Sequence, residues 1–331
     1  SRMTSYSSNG GFSINGRNFG GGNGITTSNM VGLNFSDQFA EGLDFSSSYF
    51  YNNSNSENTN KTKQTNLLPT GNFVSNSESN TISENNGHSI KADVEYDISD
   101  KLSVGITPNF TTGKSITRNN YLSNSEDENG RALNDSEGFS VNESTSNNFS
   151  NELFLTKNFD RKGRHLSFSL NNSNSKNDGL DFQNSVSRFY KDTDGDGIND
   201  ETTVDARNQR TNSLNNRDRY EMNLTFTEKV LDSTSLNIGV DVSQEINKDR
   251  RSTFDFDPIT GNFTQENELL SDNLFFKNNK VEPSIGLHSN TSKYFFNVNM
   301  GTSITRLDYQ SQYVGIDTQV QRQYLYPSFS M

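Results

Sequence analysis

Carboxylates are the residues in this chain best suited to chemistry. Asp192-Thr193-Asp194-Gly195-Asp196-Gly197-Ile198-Asn199-Asp200 sets aspartates at the first, third, fifth and ninth positions of a turn, with glycine at the sixth. Calcium is a hard cation that takes six to eight oxygens, and a loop of this form supplies them from those positions and from the carbonyl of the seventh. The ligands expected are therefore Asp192, Asp194, Asp196, the Ile198 carbonyl and Asp200, with Gly197 at the turn. Thr203 stands where a bidentate glutamate would complete an EF-hand. The loop looks instead like the calcium loops of extracellular repeat proteins, and calcium there would stiffen a long surface loop. The alternative is a flexible acidic loop tip.

Other candidates carry less chemistry. Glu126, Asp127 and Glu128, with Asp135 and Glu137, read as a solvated loop, although they would also attract a cationic ligand. Phe254 to Gly261 reads as a tight turn at a loop tip, with two aromatics that could stack on a ligand. His88, His165 and His288 are isolated, there is no cysteine, and no HExxH, GxSxG or nucleotide loop occurs. The Gly20 to Gly24 run lacks the preceding strand and following helix that phosphate binding needs, and reads as flexible linker. The expectation is that the protein is not an enzyme. A net charge of −12 and a pI near 4.8 argue against nucleic acid, which needs a basic patch.

The elements that must position these residues follow from composition and pattern. Only 29% of the 331 residues are hydrophobic, mean hydropathy is −0.86, and roughly 95 residues are Asn or Ser, against about 45–50% apolar in ordinary domains. A large conventional core cannot be filled. Disorder is opposed by the 24 Phe and 12 Tyr and by regular alternation, the mark of strands with two unlike faces. Ile90, Ala92, Val94, Tyr96 and Ile98 alternate with Lys91, Asp93, Glu95 and Asp97. Leu102 to Ile106, Leu166 to Leu170, Tyr220 to Phe226, Leu236 to Val242, Val281 to Leu287 and Tyr294 to Met300 follow suit. So do Val31, Leu33 and Phe35 with Leu43, Phe45 and Tyr49, and the last strand, Gln319 to Met331.

Short polar turns are expected at Ser36–Gly42, Ser99–Lys101, Asp160–Arg164, Leu231–Ser235 and Ser289–Lys293. Long polar loops are expected over 52–86, 114–146, 172–216, 246–278 and 305–317, all at the other end of the strands. Short turns at one end and long loops at the other describe an antiparallel transmembrane β-barrel with periplasmic turns and extracellular loops. Its exterior needs an apolar band only about 25 Å tall, which accounts for the low hydrophobicity. Tyr6, Tyr49, Tyr51, Tyr190, Tyr294 and Tyr313 suit aromatic girdles at the membrane borders. About eleven strands can be counted, whereas bacterial single-chain barrels have an even number. The chain is therefore expected to be part of a larger barrel cut at both ends, with residues 1–24 a Gly/Asn/Ser-rich lead-in or linker and 25–331 the partial barrel. Ser1-Arg2-Met3 does not open a secretory leader, so the chain is either cytosolic or lacks its beginning.

The words of the sequence then point to a family. Gly20-Gly21-Gly22-Asn23-Gly24-Ile25-Thr26-Thr27-Ser28, Val31-Gly32-Leu33-Asn34-Phe35 and Ser48-Tyr49-Phe50-Tyr51-Asn52-Asn53 resemble the start of the barrel of TonB-dependent-receptor-like outer-membrane proteins, abundant in Bacteroidetes. Tyr326-Pro327-Ser328-Phe329-Ser330 resembles a strand in the middle of that barrel. The resemblance implies a 22-stranded receptor in the outer membrane of a Gram-negative bacterium, with a plug in its lumen and TonB as energy source. Neither plug nor TonB box is recognisable in this chain, so energised transport rests on the resemblance alone.

The function expected is uptake of a ligand by an outer-membrane receptor or transporter, with membrane lipid, TonB and a surface lipoprotein or envelope-complex protein as partners. Two alternatives stay open: a soluble or surface-attached β-rich adhesin, and a structural or secretion-associated barrel in a larger envelope complex.

Overall fold

The computed structural model describes residues 4–6, 12–14, 17–19, 24–69, 71–194, 196–291 and 294–330. Described residues form strands and short connections, with no helix. Three three-residue strands, β1 (Thr4–Tyr6), β2 (Phe12–Ile14) and β3 (Arg17–Phe19), form a small antiparallel sheet. The expected linker over 1–24 falls largely outside the described residues.

Everything after Gly24 belongs to one antiparallel sheet. Its strands are β4 (Ile25–Ala40), β5 (Leu43–Asn66), β6 (Phe73–Ser99), β7 (Leu102–Asp127), β8 (Ala132–Asn158), β9 (His165–Lys191), β10 (Glu201–Leu231), β11 (Thr234–Asp257), β12 (Asn262–Glu266), β13 (Asp272–Asn290), β14 (Phe295–Ser311) and β15 (Ile316–Ser330). Each long strand pairs with its sequence neighbours, and β12 is a short flap on the end of β11. Eleven long strands thus lie in order from β4 to β15, in agreement with the count from alternation. The sheet is not closed, because β4 and β15 do not pair with each other.

The short turns fall where turn chemistry places them. Two-residue connections at 41–42, 100–101 and 232–233 join β4–β5, β6–β7 and β10–β11, and Gly42 takes φ +76° at the first. Of the expected turn at Ser289–Lys293, Ser292 and Lys293 lie outside the described residues.

The expected long loops are corrected. The stretch 52–86 is strand except for 67–72, 114–146 except for 128–131, and 172–216 except for 192–200. Likewise 246–278 shrinks to two short connections around β12, and 305–317 to 312–315. The physical reason is that alternation reports a difference between the two faces, not the backbone ladder. Where both faces meet water the alternation vanishes while pairing continues. Cross-strand hydroxyl pairs such as Ser75–Ser125 at 2.9 Å, Ser136–Ser187 at 2.9 Å and Thr211–Thr253 at 3.0 Å decorate this polar zone. β10 alone, with 31 residues, is about 100 Å long at a strand's rise.

Near the short turns the two faces differ. Directly opposed residues form apolar rows across the sheet: Phe45–Val94–Ile106–Leu153–Leu170–Met222–Val242–Val281–Ile304 is one. The band spans four or five outward positions per strand, about 20–27 Å along the chain. It also drifts. The row Tyr49–Ile90–Phe110–Phe149 is apolar on β5 to β8 but continues as Asn174, Asp218, Ile246, Lys277 and Asp308. The row from Leu166 through Phe226, Ile238, Ile285 and Met300 to Pro327 is apolar where its β8 member is Lys157. The band therefore slides toward the turns as it crosses the sheet.

No apolar side chain among the described residues is buried. Ile90 is 52% exposed, Ile238 47% and Met300 56%, so the band has no counterpart covering it. The opposite face is polar, and large rings there lie on glycines of the next strand. A Cβ on Gly105 would stand 2.2 Å from the Phe154 ring, one on Gly138 2.5 Å from Tyr121, and one on Gly301 2.4 Å from Tyr326. These glycines are required by close approach, the aromatic filling the space that a side chain would take.

Candidate metal site and its surroundings

The acidic loop forms the connection between β9 and β10, at the end of the strands remote from the apolar band. The two strands stay paired to their last residues, Lys191 opposite Glu201, and Asp200 N–H donates to the Lys191 carbonyl at 3.0 Å. The described residues between are held by their own carboxylates. Asp192 Oδ2 accepts from Gly197 N–H at 2.9 Å, Asp194 Oδ1 from Asp196 N–H at 3.1 Å, and Asp196 Oδ1 from Ile198 N–H at 2.7 Å. Gly197 has φ +89°, the left-handed region that glycine enters without strain.

Carboxylate oxygens of Asp192, Asp194 and Asp200 converge to within 4.8 Å of one another, a spacing that a single hard cation could bridge. Asp196 is not among the three that converge; its Oδ1 accepts from Ile198 N–H. The structure thus gathers three of the four aspartates expected. Asp200 is clasped by Thr193, whose N–H and hydroxyl donate to Oδ2 at 2.9 and 2.8 Å. Those donors, the backbone N–H foremost, hold the Asp200 carboxyl below the usual range.

A neighbour in another hairpin, invisible to local sequence reading, also takes part. Arg131 Nη1 lies 2.5 Å from Asp192 Oδ2, and its Nε lies 3.1 Å from Asp127 Oδ2. The guanidinium ties the β7–β8 turn to the β9–β10 turn, and Asn199 adds an amide hydrogen bond to the Ala132 carbonyl at 2.9 Å. A cation entering the cluster would compete with Arg131 for Asp192. Only the register of β8 on β9, with Asn134 opposite Phe189, brings these residues together.

Asp127, Asp135, Glu137 and Asp257 have structural partners. Asp127 accepts from the N–H groups of Asn129 and Arg131, both at 2.9 Å, and the Arg131 N–H is the main reason its carboxyl is held low. Asp135 takes hydrogen bonds from Tyr190 and from Arg188, and Arg188 also reaches Glu137 at 3.1 Å. Asp257 caps the tight turn expected at 254–261, accepting Ile259 N–H and the Thr260 hydroxyl at 2.9 Å. Phe256 there packs on Phe263, ring centres 5.4 Å apart.

The girdle expectation divides. Tyr49 and Tyr51 sit at the band's edge toward the polar zone, and Tyr294 beside the turns. Tyr190 and Tyr313 do not belong to it. They stand at the remote tips, because the strands run on through what reads as loop. Nothing is described for the side chain of Tyr6.

No family model matches this sequence. No curated protein matches it either.

Proposed function

We propose that the chain forms part of an outer-membrane β-barrel whose apolar band faces lipid and whose polar face lines the interior, acting in uptake of a ligand across the outer membrane. The observation that carries this reading is the band itself: one face only, about 20–27 Å along the strands, running across the sheet, and exposed. An exposed apolar surface of that extent needs a cover, and the hydrocarbon of a bilayer crossed by tilted strands supplies one. Its drift supports the same reading, since strands crossing a flat slab obliquely must shift register with it. Further strands would close the two open edges, because unpaired backbone groups are not tolerated in lipid.

The polar face supports an aqueous interior. Asp44 lies directly opposite Glu95. Like charges so placed repel and belong in water. The receptor role, the TonB dependence and the lipoprotein partner rest on the family resemblance. In the same reading, calcium occupies the Asp192–Asp194–Asp200 cluster at the extracellular tips.

Protease digestion of intact cells producing the full-length protein tests the proposal. Cuts within 192–200 and 67–72 in intact cells are expected, with cuts at 100–101, 159–164 and 232–233 only after the outer membrane is opened. Cleavage at both ends in intact cells, or release without detergent, would refute it.

A further inference from the structure

Among the described residues two asparagines directly precede a described glycine, Asn86 and Asn129. In this dipeptide the side-chain amide is open to attack by the backbone nitrogen that follows, because glycine has no Cβ to crowd it. The two copies stand in opposite settings. Asn86–Gly87 lies inside β6, opposite Asn53 and Asn52 on β5 and opposite Lys114 and Gly113 on β7. The backbone there is extended and paired on both sides. Space is tight as well: a Cβ on Gly87 would stand 3.1 Å from Asn52 Oδ1 and 3.3 Å from the Thr112 carbonyl.

Asn129–Gly130 lies in the β7–β8 turn, and both residues are exposed. Gly130 has φ +80°, and a Cβ built on it would meet no atom within 4 Å. Its nitrogen is held by one backbone hydrogen bond, to the Asp127 carbonyl at 3.0 Å. Among the described residues the side-chain amide of Asn129 has no hydrogen-bond partner. Opening this turn breaks far fewer bonds than opening the ladder around Asn86.

We propose that Asn129 is a site of spontaneous deamidation, and that its product loosens the tie between the two neighbouring tips. The Gly130 nitrogen attacks Asn129 Cγ and forms a C–N bond. The side-chain nitrogen takes up the amide proton and leaves as ammonia. Water then opens the cyclic imide at either carbonyl, giving aspartate or isoaspartate. No oxidant, reductant or cofactor is consumed.

The consequence follows from what the turn holds. Asp127 Oδ1 accepts the N–H groups of Asn129 and Arg131, both at 2.9 Å, and the Asp127 N–H donates to the Arg131 carbonyl at 2.9 Å. From that clamp Arg131 reaches Asp192. Isoaspartate adds one carbon to the backbone inside the clamp, and a lengthened turn cannot keep all of these bonds. Arg131 is then displaced, and the β9–β10 loop loses the guanidinium. The reaction runs one way, so the tips change with the age of the protein. Neither the barrel reading nor a cation in the acidic loop is required.

The test uses full-length protein in detergent micelles, aged in mildly alkaline buffer, with a second portion aged in urea. Peptide mass spectrometry reads aspartate and isoaspartate at 86 and 129, and hydrogen exchange reads the 192–200 loop. In urea both asparagines should react. In the folded protein 129 should react at least about tenfold faster than 86, because tips open at far lower free energy than paired strands. Exchange over 192–200 should quicken as the product accumulates, and Asn129→Gln should prevent both changes. Equal rates at the two sites in the folded protein, or reaction at 129 only in urea, would overturn the site. Unchanged loop exchange in the modified protein, or equal quickening in Asn129→Gln, would overturn its consequence.

Discussion

Arg131 and the carboxylates it touches decide how the remote tips behave. Its guanidinium already occupies one side of Asp192, so a cation entering the cluster would compete with it. Arg131→Gln should therefore raise calcium affinity several-fold, while Asp200→Asn should abolish binding, both read by terbium luminescence or calorimetry; unchanged affinity in either variant would contradict the site. The Thr193–Asp200 clasp has a defined pH dependence. Because the folded-state pKa of Asp200 is lowered, the clasp's contribution is present above the ordinary aspartate range and is lost as pH falls through the lowered value. The protection of the Thr193 amide, taken relative to its intrinsic exchange rate, should fall over that acidic interval and stay constant at neutral pH. The spacing of Asp192, Asp194 and Asp200 made their convergence legible in the sequence. Arg131 was not legible, because its role depends on which hairpin lies beside which.

At the scale of the strand, the glycine–aromatic pairs and the band make separate demands. Gly105→Val would drive a side chain into the Phe154 ring, and overpacking of this kind costs about 1–3 kcal/mol. The denaturation midpoint in detergent should drop accordingly. Leu224 and Thr225 are adjacent on β10 but face opposite ways, Leu224 lying between Phe168 and Val240 in the band. Leu224→Arg should cost about 2–4 kcal/mol in a lipid bilayer, and Thr225→Arg far less; equal costs would mean that both faces meet the same medium. The strands were readable where one face is apolar, as from Ile90 to Ile98. They were unreadable from Asn172 to Asn216, where Asn, Ser and Arg point both ways and hydropathy distinguishes only wet from dry.

Among the described residues the long sheet has no buried apolar side chain, and its strands divide into a short amphipathic zone and a long polar one. That division explains how so hydrophilic a chain can have an extended ordered structure: backbone pairing spans the full strand, and apolar surface is confined to one band. The most direct test of the central claim uses the absence of cysteine. Single cysteines placed at each position from 216 to 228 on β10, in full-length protein reconstituted into phospholipid vesicles, would carry spin labels whose collisions with oxygen and with a water-soluble nickel chelate are measured. Period-two alternation is expected, with oxygen dominant at 220, 222, 224 and 226, the chelate dominant at 221, 223 and 225, and the alternation fading toward 216 as both faces become wet. Uniform access to the chelate, or an even row shielded from both probes, would contradict it.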